Sequence, residues 1–491
     1  MTYTAITIGP IYDTISLTSS PAGLWASSYM FSYISRRLCK LICDENLVNS
    51  CEDIITPFFS TEEEGTNDGI GRYPDRIIFK PKEGDSEQNI LNRVENCFGI
   101  VTEEIAKVFD DNPVEWFKEY LQLHAICFNS TDNPILDCAV YLDAIELEKT
   151  FPVGERDNPL KELFENKNKN LEIGKKIRDE LSGRQWPFRL EQCKSNVPDM
   201  EYITGRSNED KKDRRKINSY YAIVQSDGDK FTKYIEALGN NNEAIRNFSE
   251  KCIGYCSDSV NLIKEYGGIP IYAGGDDLLF IAPLTKKNGT VNDSKNIIEL
   301  LVDLREIFDK SFYKKEGDPT ISFGVAIRYY KYPLYEAFDE VYKLLMDKAK
   351  DNRNAAAISL VKHSGQKSEF VLEEFKNPNV TNKLNALVKG QIEKKDEDIL
   401  LQSIRTNIQK LKQLFITALG TENDKTLENI FTNSFDSEAH KKGKVDINNA
   451  YELFKELPKS DPESKLKMMD DLLRFAKFWS EKGDENNENI N

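Results

Sequence analysis

The tetrapeptide Gly274-Gly275-Asp276-Asp277, inside the run from Gly268 to Pro283, constrains this chain more than any other stretch. Ile269, Ile271 and Ala273 alternate with other residues before it, and Leu278, Phe280 and Ala282 alternate after it. Period-two patterns of this kind belong to half-buried strands, and Gly-Gly between them is a two-residue hairpin turn signal. The expected result is a β-hairpin whose tip carries two adjacent carboxylates. Such a donor set suits a hard divalent cation and, through it, nucleotide phosphates.

A second acidic cluster, Ser226-Asp227-Gly228-Asp229-Lys230, follows the apolar run Tyr220–Gln225 and precedes a helical pattern from Phe231 to Leu238. Asp227 is therefore expected at a strand-to-helix turn. With that strand beside the hairpin, Asp227 and Asp276 ligate the same ions. Magnesium, with manganese as its substitute, suits the site, because magnesium takes carboxylate and phosphate oxygens at about 2.0–2.1 Å. Two such ions about 3.5–4 Å apart activate a ribose 3′-hydroxyl and neutralise a leaving pyrophosphate. Positioning and charge stabilisation do most of the work in such a transfer, so few other residues are demanded. Either cluster alone reads equally well as a solvated turn, since Asp and Gly are common turn residues. Two clusters in this order, each at the end of an apolar strand, are much harder to explain that way.

Thr320–Arg328 reads as another strand, Leu334–Ala349 as an amphipathic helix and Ala355–Lys362 as a last strand. From Tyr220 the order is then strand, helix, hairpin, helix, strand, helix, strand. Lys348 and Lys350 close the amphipathic helix, where a lysine can reach a triphosphate across the sheet edge. Ordinary favourable charge at a helix C-terminus accounts for them equally well.

The pieces SDGDK at 226–230, YAGGDDLLF at 272–280, SFGVAI at 322–327, and KAK followed by AAAISLVKHSGQ ending at 366 resemble the large polymerase-cyclase subunit of type III-B CRISPR effector complexes, the Cmr type. ITIGPIYD at 6–13 and LWASSYM at 24–30 are similar to that family's opening strand and first helix. The resemblance implies an α+β fold of two facing ferredoxin-like palm domains plus a C-terminal helical bundle, with ATP bound between the palms. It implies that Asp227, Asp276 and Asp277 hold metal and carry catalysis, and that Ser226, Gly228, Asp229, Gly274, Gly275, Lys348 and Lys350 bind nucleotide. The first palm would be degenerate, with Gly71–Phe79 where a glycine-acid hairpin might stand. Asp75 there is a candidate contact for a second substrate, either ATP or S-adenosylmethionine, although an aspartate after proline is also an ordinary turn residue. Family members make adenylate messengers when target RNA is captured by a guide-bearing complex. Most join ATP into cyclic oligoadenylates, and some join ATP to S-adenosylmethionine. The implied partners are the other Cmr subunits, guide CRISPR RNA and target RNA, in the cytoplasm, with no membrane and no homo-oligomer required.

Two departures from the fuller family pattern matter. Larger relatives carry an HD nuclease with clustered histidines, whereas the histidines here are His124, His363 and His440, with no His-Asp dipeptide; no DNase activity is expected. Relatives also hold zinc through paired Cys-x-x-Cys motifs, and this chain has none. Cys39 with Cys43, and Cys252 with Cys256, stand one helical turn apart, a spacing that reads as burial rather than zinc ligation.

At 491 residues with 39% hydrophobic content, about three or four domains are expected. The nine cysteines read as reduced thiols. The opening residues read as a strand rather than a leader, and no apolar run reaches the roughly 18–20 residues that span a bilayer. A net charge of −16 argues against a free-standing nucleic-acid binder, because such affinity comes from Lys and Arg on phosphates. The basic run Lys211–Lys216 reads as a solvated linker or a local RNA contact. The expected divisions are 1–152 for the first palm, 153–218 for a charged linker with the island Trp186–Leu190, 219–365 for the active palm and 366–491 for the helices. Within them, Val94–Cys127 reads as helical and Ile135–Leu147 as strand. Leu472, Leu473, Phe475, Ala476, Phe478 and Trp479 read as an apolar packing face rather than a ligand box, and by the resemblance the bundle would dock onto other effector subunits through exposed apolar stripes.

Three function classes follow: an adenylate-forming nucleotidyltransferase, a GTP-using dinucleotide cyclase, and a non-catalytic scaffold of an RNA-guided complex. The second is disfavoured by Asp-Asp where such cyclases carry Glu-Glu-Phe or Asp-Glu-Phe. The third has no need of Asp227 and Asp276.

Overall fold

The computed structural model describes residues 1–16, 21–60, 70–107, 112–147, 160, 200–206, 215–286, 295–313, 315, 317–373, 377–393, 399–420, 424–434, 444–458 and 461–482. The Trp186–Leu190 island and most of the Lys211–Lys216 run lie outside them.

The first palm is built from β1 (Thr2–Gly9), α1 (Pro21–Asp44), β2 (Ile54–Thr56), β3 (Arg76–Phe79), α2 (Glu87–Ala106) and β4 (Gln122–Asn129). Its antiparallel sheet has the order β2-β3-β1-β4, which is the ferredoxin-like arrangement. β4 occupies residues expected to be helical, and the helix Pro134–Glu146 occupies residues expected to be strand. The local chemistry explains the second difference. The Asn133 side chain accepts from the amides of Ile135 and Leu136, and Pro134 opens the first turn, which is a helix start signal.

The second palm repeats the plan with β5 (Tyr220–Asp229), α3 (Asn242–Tyr266), β6 (Ile269–Gly274), β7 (Asp277–Pro283), α4 (Ile297–Phe312) and β8 (Thr320–Tyr329). α5 (Leu334–Leu344), β9 (Ala355–Val361) and β10 (Lys367–Glu373) complete it. The sheet order is β10-β9-β8-β5-β7-β6, with β8 and β9 parallel. β5 lies inside the sheet, and Tyr220–Val224 are wholly buried there, as an unbroken apolar run requires. The sheet continues to Glu373, past the expected boundary at 365, because Ser368, Phe370 and Leu372 alternate inward on β10.

The palms are joined directly. Gly71 bridges Tyr272 in parallel fashion, and the Ala273 amide donates to the Gly71 carbonyl at 2.9 Å. Arg246 on α3 donates to the carbonyls of Ile54 and Phe59, each at 3.1 Å. The bundle consists of α6 (Pro378–Ile392), α7 (Ile399–Lys410), α8 (Lys412–Gly420), α9 (Asp424–Ser434), α10 (Lys444–Glu456) and α11 (Pro462–Phe478). The apolar face of α11 packs as expected, and it does so on the second palm: Phe475 lies against Phe370 and Phe478 against Tyr220, with ring centroids 5.2 and 4.8 Å apart. Cys43 and Cys51 are paired with Cα atoms 5.5 Å apart, where nine reduced thiols were expected. The chain returns through a 3-10 turn at Cys51–Asp53, which brings Cys51 back to the end of α1.

Candidate active site

β5 does not stop at Gln225. It pairs with β8 from Tyr220 opposite Tyr329 to Asp229 opposite Thr320, so Asp227 projects from a strand rather than a turn. Lys230, at φ 63°, then turns the chain into the helix Phe231–Glu236. In the hairpin Gly274 pairs with Asp277. The turn residues are therefore Gly275 and Asp276, one position later than the Gly-Gly signal suggested. Only Gly275 takes a positive φ there, 68°, which glycine accepts without steric cost. Ser226 stands opposite Leu278, and this register leaves Asp227 abreast of the hairpin tip.

The three carboxylates converge: Asp227, Asp276 and Asp277 each offer an oxygen, all within 4.8 Å of one another. Burial pushes the Asp276 carboxyl up to about 6, and the Asp227 charge adds to the shift. Desolvation, then the Asp276 and Asp227 charges, hold Asp277 well above the carboxylate range, although its side chain is exposed at the start of β7. Burial also raises Asp227, against the opposing pull of Lys350. Three converging carboxylates against a single ammonium, Lys350, fit a hard divalent cation.

The sign of the resulting pH dependence follows. In the unfolded chain an aspartate titrates near about 3.9, so the folded, metal-free protein holds the Asp276 proton more tightly. Stability from that proton is present below about 4 and is lost as pH rises through about 6. Asp276→Asn should therefore raise the metal-free melting midpoint by a few degrees at pH 7.5, from on the order of 1–2 kcal/mol, and by less at pH 5. Thermal melts in chelator at both pH values would test this; a lower midpoint for the variant at pH 7.5 would contradict it.

The residues assigned to nucleotide divide. Lys350 joins the site: its Nζ donates to the carbonyls of Asp227 and Gly228 at 3.0 and 2.6 Å and pairs with the Asp227 carboxylate at 2.9 Å. Lys348 does not, because a π-helical turn over Leu345–Ala349 carries it to Glu369. Asp229 is a buried anchor rather than a ligand contact. It accepts from Thr320 and Ser322 hydroxyls, each at 2.9 Å, from the Asn354 amide at 2.7 Å, and from Lys350 at 3.2 Å. Ser226 is fully buried and likewise cannot reach a ligand. Gly228 is required by close approach: a Cβ there would stand 2.6 Å from an Asp276 oxygen and 2.1 Å from the Phe231 ring.

Asp75 arrives from the first palm. Its charge acts on Asp277 and on Tyr272, and burial raises its own carboxyl. Sequence reasoning missed Tyr272, which lies between the palms, and Thr320 and Ser322, which hold Asp229. The available signal was the pair of polar residues at alternate positions inside an otherwise apolar strand.

The description "Cas10/Cmr2, second palm domain" matches residues 220–358, the stretch that carries all three carboxylates. Over that stretch the chain is similar to the Cas10/Cmr2 family. A Cas10/Cmr2 relative, the CRISPR system Cmr subunit Cmr2 of Pyrococcus furiosus, is 32% identical over 174 residues, 30% of this chain and 19% of that protein. The matched stretch thus spans about a fifth of that relative. Among solved structures, type III-B Cmr-beta bound to cognate target RNA aligns with a TM-score of 0.56 at 10% identity, covering 97% of this chain and 83% of that one. The Csm1–Csm4 cassette in complex with cA3 aligns with a TM-score of 0.56 at 13% identity, covering 98% and 70%. The same cassette with pppApA gives 0.56 at 11%, covering 98% and 69%. At these identities the likeness is one of fold, and it takes in both palms and the helical bundle.

Proposed function

We propose that this chain is the nucleotidyltransferase subunit of an RNA-guided type III effector, making an adenylate second messenger from ATP, as a cyclic oligoadenylate, once target RNA is bound. The observation that carries this is the convergence of Asp227, Asp276 and Asp277 from two neighbouring strands onto one cation site. Support comes from the Csm1–Csm4 structures that hold AMPPNP, pppApA, cA3 and cA4. Asp227, Asp276 and Asp277 would hold magnesium or manganese, which would favour deprotonation of the attacking 3′-hydroxyl and neutralise charge on the leaving pyrophosphate. The chain's own part is geometric and electrostatic. Lys350 holds Asp227 and the end of β5 in place, Gly275 sets the hairpin tip, and Gly228 leaves room for the Asp276 carboxylate. Its partners are the other Cmr subunits, guide CRISPR RNA and target RNA, in a soluble cytoplasmic complex that cuts no DNA through an HD-type site.

Asp75 favours a second reading, in which S-adenosylmethionine is the partner of ATP. A carboxylate on the first-palm wall attracts a sulfonium and an ammonium and repels a second triphosphate. Asp75→Asn should weaken only the second substrate, by about tenfold in KM, with little change for the first. Equal losses for both substrates would remove that role. The deciding experiment incubates the assembled complex with guide, complementary target RNA, magnesium and labelled ATP, with and without S-adenosylmethionine, and identifies products by mass spectrometry. Oligoadenylates alone support the first reading, and a product that needs S-adenosylmethionine supports the second. No product in either tube leaves a scaffold.

A further inference from the structure

We propose that Tyr272 is a substrate-contacting residue whose hydroxyl hydrogen-bonds the ribose 2′-hydroxyl of the acceptor nucleotide, which leaves the neighbouring 3′-hydroxyl to the acidic triad. The proposal rests on the reading of the site as a nucleotidyltransferase that uses ATP.

Tyr272 sits two residues before the glycine pair on β6. Its neighbours Ile271 and Ala273 are wholly buried in the palm core. Tyr272 and Gly274 project from the opposite face, where Gly71 of the first palm bridges Tyr272. Gly274 gives the ring its place, and Gly71 lies beside it. A Cβ on Gly274 would stand 2.2 Å from the Tyr272 hydroxyl and 2.6 Å from its Cζ. A Cβ on Gly71 would stand 2.9 Å from Ser32 Cβ and 3.5 Å from Tyr272 Cδ2. Gly274 is not among the positive-φ glycines, as Gly275 is. Its lack of a side chain therefore serves the tyrosine rather than the turn. The first glycine of the motif makes room for the phenol, and the first palm lies against its ring at Gly71.

The phenol faces the chemistry. Asp277, Asp75 and Asp276 are the carboxylates that act on it, in that order. Among the described residues nothing hydrogen-bonds its hydroxyl. A fixed, half-buried hydroxyl beside the cation site is matched to a group that both donates and accepts, and a ribose hydroxyl does both. A phosphate would instead seek the cation. The ribose of the acceptor must lie next to the triad, because its 3′-hydroxyl is the attacking group.

The test uses Tyr272→Phe in the assembled complex with guide and target RNA, which keeps the ring in its place. Product formation from ATP should fall about tenfold, the worth of one well-placed hydrogen bond. Manganese affinity and the melting midpoint should stay at wild-type values. With 2′-deoxy-ATP the wild type should lose a similar factor, and Tyr272→Phe should lose nothing more. A variant that makes product from ATP at the wild-type rate would overturn the contact and leave the enzyme reading standing. So would losses that multiply when variant and deoxy substrate are combined. A wild-type complex that makes no product would overturn both.

Discussion

Replacing Asp276 and Asp277 together by alanine should abolish product formation, by about a thousandfold or more, while the effector complex still assembles. The loss is large because the two residues supply two of the three converging carboxylates, and a cation that stabilises both attacking and leaving oxygens contributes several kcal/mol. The fold should survive for a separate reason. The turn is made by Gly275 in its left-handed conformation, not by the acidic side chains, and both carboxyls sit under mutual repulsion. Removing them relieves strain and opens no core cavity. Quantifying products by mass spectrometry, beside size-exclusion chromatography of the complex, separates the two effects. Undiminished synthesis in the double variant would end the assignment. Asp227→Ala should be nearly as severe, and it should also release Lys350 from its 2.9 Å ion pair.

What could be read from the sequence was what local patterning dictates. The two acidic clusters were legible because each follows an apolar strand, and the succession of elements in the second palm as far as β9 follows from alternation and helix spacing. The first palm was harder to read. β4, Gln122–Asn129, is half-buried along most of its length, so no clean period marks it, while the following helix carries Val140, Tyr141 and Leu147 exposed on its surface and at its end. The start signal Asn133-Pro134 was the better guide there. In the site, the misplaced roles concern positions one or two residues from the right ones. Lys348 and Lys350 look alike in the sequence, and a π-helical turn alone sends one to Glu369 and the other to Asp227. Asp227 and Asp229 share a face of β5 by alternation, yet the partners across β8 bury only Asp229. The meeting of Asp75 with Tyr272 depends on two domains packing together, which no local pattern encodes.

The other large effect expected is on stability. Asp229→Ala should cost about 3–5 kcal/mol, although the residue touches neither cation nor nucleotide. Asp229 is 2% exposed and accepts from two hydroxyls, one backbone amide and one ammonium. Alanine leaves the Thr320 and Ser322 hydroxyls and the Asn354 amide buried without their acceptor, and takes one partner from the Lys350 ammonium. Part of the Lys350 charge stays balanced by Asp227, which keeps the cost from rising further. Asp229→Asn should fall between, since it keeps one acceptor oxygen but loses the charge opposite Lys350. The damage should also spread to the site. Thr320, Ser322 and Asn354 tie the end of β5 to β8 and to the start of β9, and Asp227 is two residues from that tie. Manganese affinity should therefore fall together with the urea midpoint in Asp229→Ala, whereas in Asp276→Ala it should fall alone. A stable Asp229→Ala with unchanged urea midpoint would show that the buried network is dispensable, and that β5 is held by its ladder with β8 alone.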